Sequence, residues 1–472
     1  METARGAAQA ERAANQVACL RFLADADEAR TVGVISEGTG LSRPTGHAVL
    51  DDLVDAGLVE STSPATAGPG RPARAFRFAR ETGLVAGVDL GPRGARAVIT
   101  DLSGHRVGYA ELPTTGKADL SLITHALEAA AAATSDADRH PLEGAVGGRE
   151  AHHGRPAAAA PVRGAKSPAV DGPAASRDAA RDEQNASAAS RRASGDVPDG
   201  SAASRQTGRD AADPSGGRPG SRPAAASLDL GRLRAVGVGL PGVVEADGRL
   251  RASLALPELV GFPVGELLAK ELGRPVVVDN DIKLAALAEQ RGGAGRGYSD
   301  VVYLQIGHRL SVSIVLNGVI RQGRHRLAGE LGAQRGMRWT RNAQRGQLVW
   351  SSRPTGAEVL TAAAAGDAAA KAELEEFCQQ IAPRIATVLL VVDPEVVVVR
   401  GGPAADSSAL LRPLAAAVEN QLVFPERPPF VAAALGREAV VLGAVGNAFD
   451  RLKSDIYGIQ DVPSPWDRIS HL

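Results

Sequence analysis

The chain has 472 residues, room for two to four domains of ordinary size. Its 53 basic and 54 acidic side chains leave a net charge of −1, which excludes a global field that draws the whole molecule to nucleic acid or to an anionic membrane. Any polyanion contact must be local. Cys19 and Cys378 are the two cysteines, too few for a disulfide framework or a thiolate zinc site. No run reaches the ~18 to 20 apolar residues of a membrane span, and the amino terminus lacks a secretory leader, so the expectation is a soluble, cytoplasmic protein without membrane contact.

The first block, about 10–80, begins with a helix over 13–24 that carries Val17, Leu20 and Ala24 on one face. Val32, Ile35 and Leu41 mark a second short helix with Gly40 as its stop. Ser42 is a good N-cap, Pro44 fits a first turn, and Val49, Leu50, Leu53 and Val54 form an apolar stripe ending at Gly57. Three such helices with a tight turn before the third predict a helix-turn-helix, the plainer alternative being a small helical protein-interaction domain. In a helix-turn-helix the amino-terminal turn of the third helix enters the major groove, which makes Ser42, Arg43, Thr45, Gly46 and His47 candidates for base or phosphate contact.

Beyond Leu58-Val59 a hairpin wing is expected up to Phe76 and Phe78. Residues 61–80 hold Arg71, Arg74, Arg77 and Arg80 and no acid, a local positive patch from which Arg71 and Arg74 are the candidate DNA contacts. Gly70-Arg71-Pro72 resembles a minor-groove AT-hook core, but the triplet recurs at Gly154-Arg155-Pro156 and Gly217-Arg218-Pro219, so composition alone can produce it.

Residues 136–227 contain no Phe, Trp, Tyr, Ile or Met and one Leu, Leu142, with 13 basic and 12 acidic side chains. Such a segment cannot bury enough apolar surface to offset its ordering entropy, and a disordered low-complexity insert is expected. The patterning on either side, 84–135 and 228–460, reads as one α/β domain. Its expected strands are 84–91, 96–101, 233–240, 276–279, 301–306, 312–316 and 396–400, and its expected helices lie near 282–291, 367–392, 406–420 and 440–453. Gly237-Val-Gly-Leu-Pro-Gly242 has dinucleotide-fingerprint spacing, yet Pro241 to Gly248 reads as a strand and turn, and the fingerprint needs a helix there.

Val85-Ala-Gly-Val-Asp-Leu-Gly91, followed by Arg96-Ala-Val-Ile-Thr-Asp101, resembles the opening hairpin of the actin-like sugar-kinase superfamily. With Gly237 to Gly242, Asp279-Asn-Asp-Ile-Lys-Leu-Ala-Ala-Leu-Ala-Glu289, Ala328-Gly-Glu-Leu-Gly332 and Arg400-Gly-Gly402, the chain is similar to the ROK family of repressors and sugar kinases. The likeness covers everything outside the insert and the termini. An amino-terminal winged helix is the mark of the family's regulators, among them xylose and N-acetylglucosamine repressors.

The resemblance implies a two-lobed actin-like (ribonuclease-H-like) fold, with Asn280 and Asp281 as the sugar-binding pair, Asp281 as the general base in the kinases, and Glu330 as another hydroxyl-binding residue. A plainer role for Asp281 and Glu330 is to cap helices or satisfy loops. The kinases hold ATP phosphates in two glycine-rich turns. Here the first is Gly91-Pro92-Arg93, where Pro92 removes an amide donor, and the second is Gly307-His308-Arg309-Leu310-Ser311. The family's His after Glu-x-Gly is Ala333, a zinc-loop cysteine position holds Gln347, and Val349 replaces a sugar-binding Glu. Isolated His308 and His325 read as loop histidines.

The resulting expectation is a regulator of sugar-related genes with no catalytic residue, metal or cofactor, a homodimer or homotetramer on an inverted-repeat operator in double-stranded DNA, answering to a sugar or sugar phosphate. A working sugar kinase with a DNA-binding head and a ligand-independent regulator that uses the α/β domain for oligomerisation are the alternatives.

Overall fold

Three helices and a small three-stranded sheet form the head. In the computed structural model, which describes residues 2–26, 28–62, 74–133, 227–334, 338–341, 343, 347–401, 407–424 and 426–470, α1 (Glu2–Ala24) turns Cys19, Leu20 and Leu23 into the core. Val17 and Ala24, expected on that buried stripe, are only partly covered. After β1 (Arg30–Thr31), α2 (Val32–Thr39) ends at Gly40, whose φ of 73° is the left-handed stop that glycine favours. Ser42 Oγ accepts the Thr45 amide at 3.3 Å and opens α3 (Arg43–Asp55). A Cβ on Gly46 would lie 2.8 Å from Ser36 Oγ. Gly46 is therefore the contact that lets α2 and α3 approach, and the expectation that it faces DNA is corrected. Strands β2 (Val59–Thr62) and β3 (Ala75–Phe78) form the wing, with β1 added on the other edge of β3. Arg71, the Gly70-Arg71-Pro72 triplet and the stretch 136–226 lie outside the described residues.

The next unit begins with β4 (Leu84–Gly91), β5 (Gly94–Asp101) and β6 (Arg106–Pro113), followed by α4 (Ser121–Ala132) and β7 (Leu233–Leu240). A small hairpin of β8 (Val243–Val244) and β9 (Leu250–Ala252) precedes α5 (Val264–Leu272), β10 (Val276–Asn280) and α6 (Asp281–Gly292). Strands from both sides of 134–226 share one sheet, ordered β10-β7-β4-β5-β6. The second lobe repeats the design: β11 (Val301–Ile306), β12 (Leu310–Leu316), β13 (Val319–Ile320), α7 (Gly356–Ala364), α8 (Ala368–Val392), β14 (Val396–Gly401), α9 (Ser407–Glu419) and β15 (Phe430–Ala432), in the order β13-β12-β11-β14-β15. In each lobe the first three strands form an antiparallel meander and two further strands join the first in parallel. This is the duplicated actin-like topology. Its two meander turns, Gly91–Gly94 and Gly307–Leu310, are equivalent positions.

Helices α6 and α10 (Ala439–Arg451) pack between the sheets. Glycines permit the close approach: a Cβ on Gly237 would lie 1.9 Å from the Ala444 carbonyl oxygen, and one on Gly443 2.0 Å from that of Leu284. The glycine-rich run after Leu233 thus serves helix packing. No helix starts at Gly242, as the strand-and-turn reading requires. The chain closes with α11 (Lys453–Tyr457) and α12 (Trp466–Ile469). Trp466 lies over Gly446 and donates to Asp450 at 3.2 Å, Ser470 fills the space above Gly292, Asp467 pairs with Arg296 at 2.8 Å, and Arg468 donates to the Ala24 carbonyl at the end of α1.

Candidate functional site

Two sites can be built from these elements. In the head, Arg43, Thr45 and His47 are exposed on the first turns of α3, and Arg43 has no acidic partner among the described residues. Ser42 is occupied: its hydroxyl caps α3 and lies 2.8 Å from Thr45 Oγ1, so it positions the turn that carries the other three. In the wing, Arg74 donates to Asp51 on α3 at 3.0 Å and to Ser61 at 2.9 Å while lying over the Phe76 ring. Arg77 meets Glu60 at 2.7 Å and Arg80 lies 3.9 Å from Asp101. The patch expected to be unopposed is therefore partly neutralised by acids from α3, β2 and β5, which a count over 61–80 leaves out. The Arg74 and Arg77 pairs are largely exposed and hence weak, whereas Asp101 is buried.

The second site lies at the amino-terminal end of α6. Asn280 is the N-cap: its Oδ1 accepts the Lys283 amide at 3.0 Å and its Nδ2 donates to the Gly242 carbonyl at 2.7 Å, leaving one amide hydrogen uncommitted. Asp281 accepts the Ile282 amide at 2.8 Å. Burial pushes its carboxyl up to about 7, with repulsion from Asp89 and Glu330 adding to the effect. Glu330, on the loop after β13, is also raised by burial, against the attraction of Lys283, and its carboxylate has no hydrogen-bond partner among the described residues. The capping role weighed for Asp281 and Glu330 falls to Asn280 instead, Asp281 keeps a local bond to the Ile282 amide, and among the described residues the Glu330 carboxylate has neither.

Further residues shape this site. Asp89 on β4 is raised by burial, opposed by Arg96 and Arg400, and Arg96 meets it at 3.2 Å. Arg400, at the end of β14, donates to Gln305 at 3.1 Å and lowers Asp281 from the opposite lobe. Asp279 accepts Arg326 at 3.2 Å and Gln322 at 3.0 Å, and buried Lys283 donates to the Arg326 carbonyl at 3.1 Å. These bonds anchor the Glu330 loop to the first lobe. The Asp279-to-Glu289 segment held signal for Asp279 and Lys283, whereas Arg326 and Arg400 join through tertiary structure alone. Three carboxylates facing a few cations suit recognition of a polyhydroxylated ligand, because carboxylates accept from hydroxyls and guanidinium groups donate to them.

The equivalent meander turns meet across the lobes. Arg93 Nη1 lies 2.9 Å from His308 Nε2, and the His308 carbonyl accepts the Leu348 amide at 2.8 Å. Pro92 supplies no amide. Ala333 and Val349 are exposed, and among the described residues no group of three or more His, Cys, Asp or Glu side chains could hold a metal ion.

Known proteins place this geometry. Residues 225–347 and 333–448 match the ROK family, and residues 12–68 match the MarR family. The bifunctional enzyme NanE/NanK of Brucella suis biovar 1 is 32% identical over 232 residues, 45% of this chain and 42% of that protein. A glucokinase of Thermotoga maritima is 26% identical over 252 residues, 46% of this chain and 80% of that enzyme. The chain spans less than half the length of the Brucella relative. A solved ROK family transcriptional regulator, a homolog of the E. coli MLC protein, superposes with a TM-score of 0.54 at 16% identity, covering 97% of this chain and 98% of that one. The chain thus carries a ROK family domain preceded by an amino-terminal MarR-type winged helix domain.

Proposed function

We propose that the protein is a DNA-binding transcriptional regulator, a repressor of sugar-related genes, whose ROK domain takes a sugar-type effector and does not phosphorylate it. The observation that carries this reading is the pair of phosphate turns: one has lost an amide to Pro92, both have gained bulky basic side chains, and Arg93 and His308 are bonded to each other. The hydroxyl-recognising carboxylates remain beside them. The domains are residues 10–80 as the DNA-reading head and 84–135 with 228–460 as the effector unit, acting in the cytoplasm as a homodimer or homotetramer.

Arg43, Thr45 and His47 read or grip a half-site from α3, with Ser42 setting their turn and Arg71 and Arg74 adding wing contacts. Two heads on a symmetric dimer fit an inverted repeat with half-sites about one helical turn, or a multiple, apart. Asp281 and Glu330 hold ligand hydroxyls, Asn280 adds its uncommitted amide hydrogen, and differential affinity for two lobe arrangements shifts the heads. No cofactor or metal enters this scheme.

A sugar kinase with an accessory head is the second reading, favoured by Asp281, whose carboxyl near 7 suits a general base. Phosphorylation assays with ATP and magnesium over a sugar panel, run beside gel shifts on the gene's own upstream DNA, separate the two. Upstream binding without turnover supports the regulator. Multiple turnover of a monosaccharide overturns it.

A further inference from the structure

Glu330 sits on a loop, residues 321–333, that leaves the edge of the second lobe after β13 and crosses to the first. The segment Arg321-Gln-Gly-Arg-His-Arg326 carries no apolar side chain, and Leu327 after it is exposed, so no core holds this half of the loop. The other half is fixed to the second lobe. Leu331 packs on that lobe's core, and a Cβ on Gly329 would lie 2.2 Å from the Val312 carbonyl oxygen of β12.

The bonds that hold the polar half centre on one residue. Arg326 Nε donates to the Val244 carbonyl at 2.9 Å and Nη2 to Asp279 at 3.2 Å, while its own carbonyl accepts buried Lys283 at 3.1 Å. Elements β8, β10 and α6 of the first lobe thus converge on it. Gln322 adds a bond to Asp279 at 3.0 Å, and Arg251 one to the His325 carbonyl at 2.8 Å. The Asp279 side chain is 7% exposed and that of Arg326 17%, so their charge-assisted bond forms where water competes little. Arg326 makes these contacts with φ at 60°, a left-handed backbone that disfavours a side chain and persists where the surroundings over-determine it. Glycine takes that conformation freely and would serve a loop that needed only the turn. What arginine adds is its two guanidinium bonds.

We infer that Arg326 is a positioning residue of the effector site: by stapling the loop to β8 and β10 it presents the Glu330 carboxylate to the ligand beside Asp281. For its ligand this rests on the proposed sugar cleft; the staple rests on the loop bonds alone. The carbonyl of the same residue holds the Lys283 ammonium, the cation that attracts Glu330. A loop ordered before the ligand arrives spares binding the cost of ordering it.

The test compares the full-length protein with R326G, E330Q and R326G/E330Q. Glycine keeps the left-handed turn and the carbonyl that Lys283 bonds, and Asp279 keeps the Gln322 side chain and the Asn280 amide. Hydrogen exchange in R326G should quicken tenfold or more at the amides of Ala328 and Glu330, which bond within the loop, and stay unchanged in β7 and α10. In calorimetric titration with hexoses, pentoses and N-acetylhexosamines, R326G should weaken tenfold or more every sugar that the unaltered protein binds. In the E330Q background the same change should cost less than twofold, because the carboxylate it positions is gone. An equal loss in both backgrounds marks a merely structural residue and overturns the inference. Undiminished sugar binding by R326G overturns it too, as does exchange that is unaltered or quickened throughout the protein. Where E330Q leaves no binding to measure, exchange decides. If no sugar binds the unaltered protein, the effector cleft falls and the positioning role with it, while exchange confined to the loop still upholds the staple.

Discussion

Replacing Asp281 with asparagine keeps an oxygen for the Ile282 amide but removes a carboxyl that burial, Asp89 and Glu330 hold at about 7. An unfolded aspartate titrates near 3.9, so the unfolded chain gives up its proton first. Stability is therefore lost as pH rises through the interval between the two values. Ionising Asp281 in the folded state costs about 4 kcal/mol near pH 8 and about 1.5 kcal/mol near pH 5 relative to the unfolded chain. Asp281→Asn removes both costs, so its advantage over the unaltered protein should be about 2.5 kcal/mol greater near pH 8 than near pH 5. Since roughly 2 to 4 °C accompanies each kcal/mol in a domain of this size, the difference in melting temperature should widen by several degrees between those conditions. Thermal unfolding of both proteins across that range measures it. An equal shift at both ends, or a destabilised variant at high pH, would refute the view of Asp281 as a buried carboxyl pressed by two others. The same variant should lose sugar binding, a cost that the gain in stability keeps separate from misfolding.

Other outcomes follow from the head and the sheet. Arg43→Ala should weaken operator binding by about 1 to 3 kcal/mol if the guanidinium reads a base, measured by gel-shift titration, and unchanged affinity removes Arg43 from the interface. Gly237→Ala pushes a methyl against the Ala444 carbonyl and should destabilise by about 1 to 3 kcal/mol or more. An unaltered melting curve would show that α10 can retreat from the sheet at no cost. Deleting residues 136–227 should leave melting temperature and operator affinity nearly unchanged, and a large fall in either would contradict the low-complexity reading of that segment.

The expected strands of the α/β unit closely match β4, β7, β10, β11 and β14, because buried runs of Val, Leu and Gly have few other uses. Strand β6, by contrast, mixes Arg106, Glu111 and Pro113 into its pattern, and its exposed edge position demands little of the sequence. The glycines of 237–242 could be denied a phosphate from local context, but not given their actual role. What Gly237 and Gly239 accommodate is α10, some 200 residues later. Asp281 and Glu330 were named as candidates because the motifs around them are contiguous. Arg400 and Arg326 were not, since each matters only through carboxylates brought to it from another element. The wing arginines failed the opposite way: their local run looks unopposed, and the acids that answer them come from neighbouring elements.

Helix α6 begins at Asp281 and ends where Ser470 fills the space over Gly292. At ~1.5 Å per residue it is a strut of roughly 18 Å, wedged between two sheets so that it moves as a unit. A tilt of about 5° around its middle would carry each end of such a strut roughly 0.8 Å, enough to disturb the tight contact of Ser470 with Gly292. The carboxyl-terminal segment resting there also grips the last turn of α1 through Arg468 and Ala24. Under the proposed function, a rotation of the strut under a sugar would reach α1 of the head through this segment.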